Sequence, residues 1–107
     1  MSEGKPLISK AFQTFIEEAP GHATTWGTLV QDLAQASALD AKTAALAYIA
    51  VLASLGLESG VPFHVRSAKE AGATREEVIS AILIGLPAAG HGVTRVLPTA
   101  VESFDSE

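Results

Sequence analysis

Histidine is the residue type in this chain best suited to acid–base chemistry, and His64 is the most promising of its three histidines. The neighbours of His64 in sequence, Val61, Pro62, Phe63 and Val65, are apolar. An imidazole in such surroundings could titrate near neutrality and transfer protons. A partly buried histidine with one backbone partner is the structural alternative, and the local pattern leaves both interpretations open.

An acidic residue precedes His64 at a spacing that excludes a shared helix face. Glu58 lies six residues earlier, so the two side chains can meet only if Glu58 comes before the start of the helix that carries His64. A carboxylate among apolar residues is either paired or has a raised pKa. Glu58 is therefore a candidate partner of His64, and a solvated loop glutamate is the alternative.

Three further residues are candidates for substrate binding. Arg66 follows His64 on the same predicted helix, and Arg95 lies near the end of the chain; either guanidinium could bind a substrate carboxylate. His91 lies between Gly90 and Gly92, which allow a ligand or another backbone to approach closely. A solvated, ion-paired helix face and a loop histidine at a helix start are the structural alternatives for Arg66 and His91.

Composition excludes several other kinds of site. The chain has no cysteine, which rules out a disulfide scaffold, a thiolate nucleophile and a thiolate zinc site. The histidines have no metal-ligand spacing, and the glycines form no phosphate loop because no predicted strand precedes them and no lysine follows. We therefore expect no metal and no cofactor.

Charge and hydropathy indicate which partners to expect. Seven basic residues against twelve acidic ones, without a basic run, argue against nucleic-acid binding. The longest apolar run, 44–57, is too short to cross a bilayer, and the first residues lack a signal-peptide pattern, so we expect no membrane insertion and a cytoplasmic location. A hydrophobic content of 48% exceeds what one small core can bury and predicts a homo-oligomer.

Periodicity and capping signals predict a single all-α domain over residues 1–107, with about six helices and no strand. The first predicted helix covers 8–19 and is ended by Pro20-Gly21. The second is an apolar segment that stops near Ser37. Asp40 is the expected N-cap of a third helix over 41–55, which should be buried on every side, and Gly56 is its expected C-terminal glycine.

Similar signals predict the second half of the chain. A fourth helix should start within 59–62 and run to Gly72, and Thr74 with Glu77 forms a capping box that opens a fifth. The segment 87–92 should break the fifth helix, and Pro98 should kink or restart the last one. Residues 1–6 and 104–107 are expected to be frayed ends.

Three segments resemble the carboxymuconolactone decarboxylase family, which includes the alkylhydroperoxidase D-like proteins. They are Leu39-Asp-Ala-Lys-Thr43, Phe63-His-Val-Arg66 and Glu70-Ala-Gly-Ala-Thr-Arg-Glu-Glu-Val78, within a resemblance over roughly 25–104. This resemblance implies an alkylhydroperoxidase D-like helical fold that assembles into trimers or hexamers.

The sequence departs from both branches of that family. The peroxidase branch has a C-x-x-C pair where Leu57 and Gly60 stand here, and a glutamate where Ala45 stands. A thiol peroxidase needs a thiolate, so that activity is disfavoured. The cysteine-free decarboxylase branch is more similar, because Gly56-Leu57-Glu58, five residues and then His64 match its glutamate–histidine arrangement; its further glutamate corresponds to Gly60.

Two functions are compatible with these residues. One is a cofactor-free lyase or isomerase acting on a small organic acid or lactone, with His64 as the general acid or base and Glu58 as its orienting partner. Arg66, Arg95 or His91 would then bind the substrate. The other is a catalytically degenerate oligomeric binding or assembly protein of the same family, which the losses at Ala45 and Gly60 favour.

Overall fold

A computed structural model describes residues 8–106, and every regular element among them is helical. The elements are α1 (Lys10–Glu18), α2 (Pro20–Ala36), α3 (Ala41–Leu55), α4 (Val61–Glu70), α5 (Arg75–Leu83), α6 (Leu86–Ala89), a 3₁₀ helix (Gly90–Val96) and α7 (Leu97–Asp105). Six of the α-helices described have nine residues or more, and the α5–α7 stretch is nearly continuous. The prediction of an all-α fold is confirmed.

Contacts divide the chain into two compact units, Met1–Asp40 and Ala41–Glu107. In the first unit, the Ser9 hydroxyl accepts a hydrogen bond from the Phe12 amide at 3.0 Å and caps α1. Pro20 follows α1, as predicted, and also opens α2, where the first turn tolerates a missing N–H. Phe12 and Trp26 pack edge to face with ring centroids 5.3 Å apart, joining α1 to α2. No residue of either helix is fully buried.

The second unit contains the hydrophobic core. Each of its elements except the short α6 contributes alanine or branched aliphatic side chains that lie almost wholly out of water: Ile49, Leu52, Ala53, Val61, Val65, Ala68, Val78, Ile82, Val93, Val96 and Ala100. Burying one side chain of the Val or Ile class contributes about 1.5–3 kcal/mol. This core fixes α3 against α4 and α5, and those three helices position the candidate site.

Local signals predicted the boundaries of this unit well. Helix α3 ends before Gly56, which has a φ of +70°, a left-handed conformation that favours glycine. The capping box is present: the Thr74 hydroxyl accepts from the Glu77 amide at 3.0 Å, and the Thr74 amide donates to Glu77 Oε1 at 2.9 Å. Pro98 lies in the first turn of α7 and restarts the helix there.

Three expectations about these helices are wrong. Helix α3 is not buried on every side, because its core contacts come from one side, and Tyr48, Val51 and Leu55 on another side are 46%, 52% and 65% exposed. The fifth helix ends at Leu83, before the break predicted over 87–92. Pro87 lies in the first turn of the short α6, and the left-handed Gly90, with a φ of +80°, follows that helix.

The third error concerns the C-terminal residues, of which 104–106 are described. Phe104 and Asp105 belong to α7 and are not frayed. Lys69 Nζ donates to the Phe104 carbonyl at 2.6 Å, and Arg75 pairs with Asp105 at 3.0 Å. Lys69 of α4 thus satisfies carbonyl groups at the end of α7, which lack partners inside the helix, and Arg75 of α5 holds the Asp105 side chain.

By length and composition alone, the stretch Arg75–Asp105 could cross a membrane, and it is the single such stretch in the described part of the chain. The core helices of soluble proteins meet the same criterion. Within this stretch the α-helix is interrupted after Leu83, and Val78, Ile82, Val93 and Val96 belong to the hydrophobic core.

Candidate functional site

The start of α4 positions His64. Gly60 precedes the helix, Pro62 occupies its first turn, and the His64 amide donates to the Gly60 carbonyl at 3.3 Å. Val61 and Val65 on the same helix are fully buried, which anchors this turn in the core. The register of α4 therefore places the His64 side chain beside α3, half-buried at the edge of the core.

Aromatic and aliphatic groups surround the imidazole. The Tyr48 ring of α3 lies 4.2 Å from the imidazole, centroid to centroid, at an interplanar angle of 38°. Phe63 approaches edge-on at 5.1 Å. A Cβ atom at Gly60 would lie 3.8 Å from His64 Cδ2 and 3.6 Å from the Leu52 methyl groups, which are ordinary van der Waals distances, so Gly60 and Leu52 lie beside this edge of the ring.

Burial lowers the pKa of the His64 imidazole from its ordinary value. Desolvation is the one cause of this shift, because no neighbouring charge contributes to it. No hydrogen bond from a His64 ring nitrogen occurs within residues 8–106. The ring is therefore neutral near pH 7, and a neutral imidazole can accept a proton.

Arg95 reaches the turn that joins α3 to α4, residues 56–60, which we call the α3–α4 turn. Its guanidinium Nη1 lies 3.4 Å from the position that a Cβ at Gly56 would occupy. Gly60, at the other end of the turn, contacts His64. Four residue steps span at most about 14 Å. Arg95 and His64 thus lie at opposite ends of one short turn.

Glu58 lies in the middle of the α3–α4 turn, before the start of α4, as the spacing required. Its side chain is exposed, and its carbonyl accepts from the Val61 amide at 3.1 Å. Across the described residues, no hydrogen bond or ion pair joins Glu58 to His64. A carboxylate close to the imidazole would raise its pKa, yet the pKa of His64 is lowered. The role of Glu58 as orienting partner stays a prediction.

The remaining candidates, Arg66 and His91, lie outside the α3–α4 turn. Arg66 is two residues beyond His64 on α4, which turns it to a different face of the helix. His91 is exposed at the start of the 3₁₀ helix, where its carbonyl accepts from the Thr94 hydroxyl at 2.8 Å. Substrate binding by either residue stays a prediction.

A separate groove of about 450 Å³ opens between α3 and α5. Its walls are mostly small or apolar, with two glutamates at the rim: Thr43, Leu46, Ala47, Ala50, Glu76, Glu77, Ser80, Ala81 and Ile84. Lys42 already pairs with Glu77 at 3.1 Å. His64 does not line this groove. Within residues 8–106, no three histidine, aspartate or glutamate side chains lie close enough to hold a metal ion.

Sequence reasoning did not identify Tyr48 as a site residue. The available signal was a single tyrosine in the alanine-rich run of α3, where a ring with a polar end is typical of a partly exposed position.

The comparisons with known proteins agree with the resemblance described above. The family model described as "Carboxymuconolactone decarboxylase family" matches residues 20–102. No curated protein and no solved structure matches the chain. The family match covers α2 and the whole second unit except its last residues, including every candidate site residue. The chain belongs to the carboxymuconolactone decarboxylase family.

Proposed function

We propose that this protein is a cofactor-free lyase or isomerase that acts on a small organic acid or lactone, with His64 as its general acid or base. The observation that carries the proposal is the His64 imidazole itself, half-buried between Tyr48 and Phe63 with a lowered pKa. The neutral imidazole can act as a base that takes a proton from a carbon beside a carbonyl and returns it to another position, as an isomerisation requires. Loss of carbon dioxide leaves a carbanion-like centre, which only the protonated form of His64 could protonate. Proton transfer by a positioned imidazole accelerates such steps about 10²–10⁴-fold.

Arg95 is the proposed substrate anchor. Its guanidinium lies at the α3–α4 turn and is exposed, so a substrate carboxylate can reach it. An arginine can bind a carboxylate through two parallel hydrogen bonds, which would fix the reacting carbon relative to His64. Thiol peroxidase chemistry is disfavoured because the chain has no cysteine.

A homo-oligomer, a trimer or hexamer, is the proposed assembly. Apolar side chains along α2 and on one side of α3 are about half exposed in the single chain: Trp26, Leu29, Val30, Leu33, Tyr48, Val51 and Leu55. An exposed apolar stripe of this kind, on each of the two helices, is typical of protein interfaces.

A catalytically degenerate binding or assembly protein is the second candidate. It is favoured by the exposed Glu58, which makes no contact with His64 in the described structure, and by the position of the α3–α5 groove away from His64. On this alternative His64 is a structural residue that holds the start of α4 against α3.

Turnover of a panel of lactones and dicarboxylates by a His64→Gln variant separates the two candidates. We expect loss of turnover with unchanged helicity and oligomer mass, whereas His22→Gln, at an exposed position of α2, should retain activity. Arg95→Met should raise KM more than it lowers kcat. Retained turnover in His64→Gln contradicts the proposal. Unfolding or dissociation of that variant supports the structural role.

A further inference from the structure

We propose that Tyr48 is a positioning residue for His64. The aromatic ring of Tyr48 holds the imidazole in one orientation and excludes water from it. The inference rests on the proposed function in that His64 is taken as the proton-transferring group. The ring of Tyr48 has this role on its own, and its hydroxyl group does not take part.

The contact geometry supports this role. A centroid separation of 4.2 Å is shorter than the usual 4.5–7 Å of aromatic pairs, so the two rings, tilted by 38°, are in close contact. Phe63 covers an edge of the imidazole, and Gly60 with Leu52 lies beside Cδ2. Rotation of the imidazole away from this position would break the contact with Tyr48 and carry the ring towards water.

Charged groups near His64 do not supply the orientation. Helix α3 contributes Tyr48 and Leu52 to the surroundings of the imidazole, and α4 contributes Phe63. The α3–α4 turn carries Glu58, which is exposed, and Arg95 approaches the Gly56 end of that turn, the end away from Gly60. Arg66 lies on another face of α4. In many acid–base sites a third group orients the base through a hydrogen bond. Here the Tyr48 ring orients His64 by contact, without a hydrogen bond.

Nuclear magnetic resonance titration of His64 tests the proposal without requiring a substrate. Removing the ring in Tyr48→Ala should readmit water and shift the pKa of His64 upward, towards its ordinary value. Tyr48→Phe keeps the ring and should leave the titration unchanged. Val51→Ala is the matched control, because Val51 is also about half exposed on α3 and makes no ring contact with His64.

An unchanged or lower pKa in Tyr48→Ala overturns the proposal, since a lower value would mean that the tyrosine ring stabilises the imidazolium. An altered titration in Tyr48→Phe also overturns it, because the hydroxyl group would then be required. Tyr48→Ser, which likewise removes the ring and should give the same upward shift, replaces the alanine variant if that variant fails to fold.

Failure of the proposed lyase activity is distinguishable from failure of this inference. If no substrate is turned over but Tyr48→Ala shifts the titration as expected, the positioning role stands and the lyase activity does not. If a substrate is turned over, the pH dependence of kcat/KM should move in Tyr48→Ala in the same direction as the His64 titration. A pH profile that stays fixed while the activity falls contradicts the positioning role.

Discussion

At the scale of the residue, His64 differs from a histidine held by a carboxylate. A paired histidine is stabilised as the cation, whereas His64 loses hydration against Tyr48 and Phe63 without a compensating charge in the described residues. Its neutral form is therefore the favoured one. This state suits a group that must accept a proton at neutral pH, but it lowers the stability of the folded chain at acidic pH.

The lowered pKa of His64 predicts how the free energy of unfolding depends on pH. The pKa of His64 is about 6.5 in an unfolded chain and lower in the folded chain, so the unfolded state binds the proton more readily. The contribution of His64 is fully present above that ordinary value and is lost as the pH falls through the folded pKa. The stability of wild type relative to His64→Gln should therefore decrease on acidification, as measured by urea unfolding at a series of pH values.

The control for this measurement is His22→Gln, which removes an exposed histidine from α2. A stability difference between wild type and His64→Gln that is constant across the pH series, or that grows in acid, contradicts the prediction. The second result would mean that His64 gains an anionic partner on folding.

At the scale of the element, the α3–α4 turn depends on Gly56. Its φ of +70° ends α3 and directs the chain towards α4 and His64. An alanine there must adopt the left-handed conformation, which costs about 1–2 kcal/mol. The added Cβ would also lie 3.4 Å from Arg95 Nη1, the flexible end of a side chain that can move aside. Gly56→Ala should thus lower the free energy of unfolding and displace Arg95.

Gly27→Ala is the matched control for Gly56→Ala. Gly27 lies inside α2, and a Cβ there meets nothing within 4 Å. Alanine in a helix interior is favoured over glycine by about 0.5–1 kcal/mol, so the two variants should change stability in opposite directions in denaturant titrations. A Gly56→Ala variant as stable as wild type would show that the turn tolerates another backbone conformation.

Element boundaries were predictable because the signals that set them are local. Thr74 with Glu77, Gly56 and Pro62 act within a few residues of their own positions, and the structure places each as expected. The approach of Arg95 to Gly56 and the contact of Tyr48 with His64 join residues on different helices. Such contacts depend on how the helices pack, which periodicity does not specify. The exposed side of α3 went unpredicted for the same reason.

At the scale of the whole molecule, the apolar residues that the single chain leaves exposed bear on the proposed assembly. Helix α2 has Trp26, Leu29, Val30 and Leu33 at helical spacing, and each of them is 43% exposed or more. Every residue of 28–40 is exposed, so this stretch buries little apolar surface in the single chain. Burial of one such side chain contributes about 1.5–3 kcal/mol, so association of several copies through α2 would be strongly favourable.

The purified protein should therefore be an oligomer at micromolar concentration, and α2 should hold it together. Leu33→Asp places a charge on the apolar stripe, at a residue 61% exposed in the single chain, so the substitution should spare the core of the second unit and shift the mass towards the monomer. Gln31→Asp adds the same charge to an exposed position of α2 outside the stripe and should leave the mass unchanged.

Light scattering measures the masses of the wild type and the two variants. A monomeric wild type contradicts the proposed assembly, and an undiminished mass in Leu33→Asp assigns the interface to another surface, such as the exposed side of α3 beside His64.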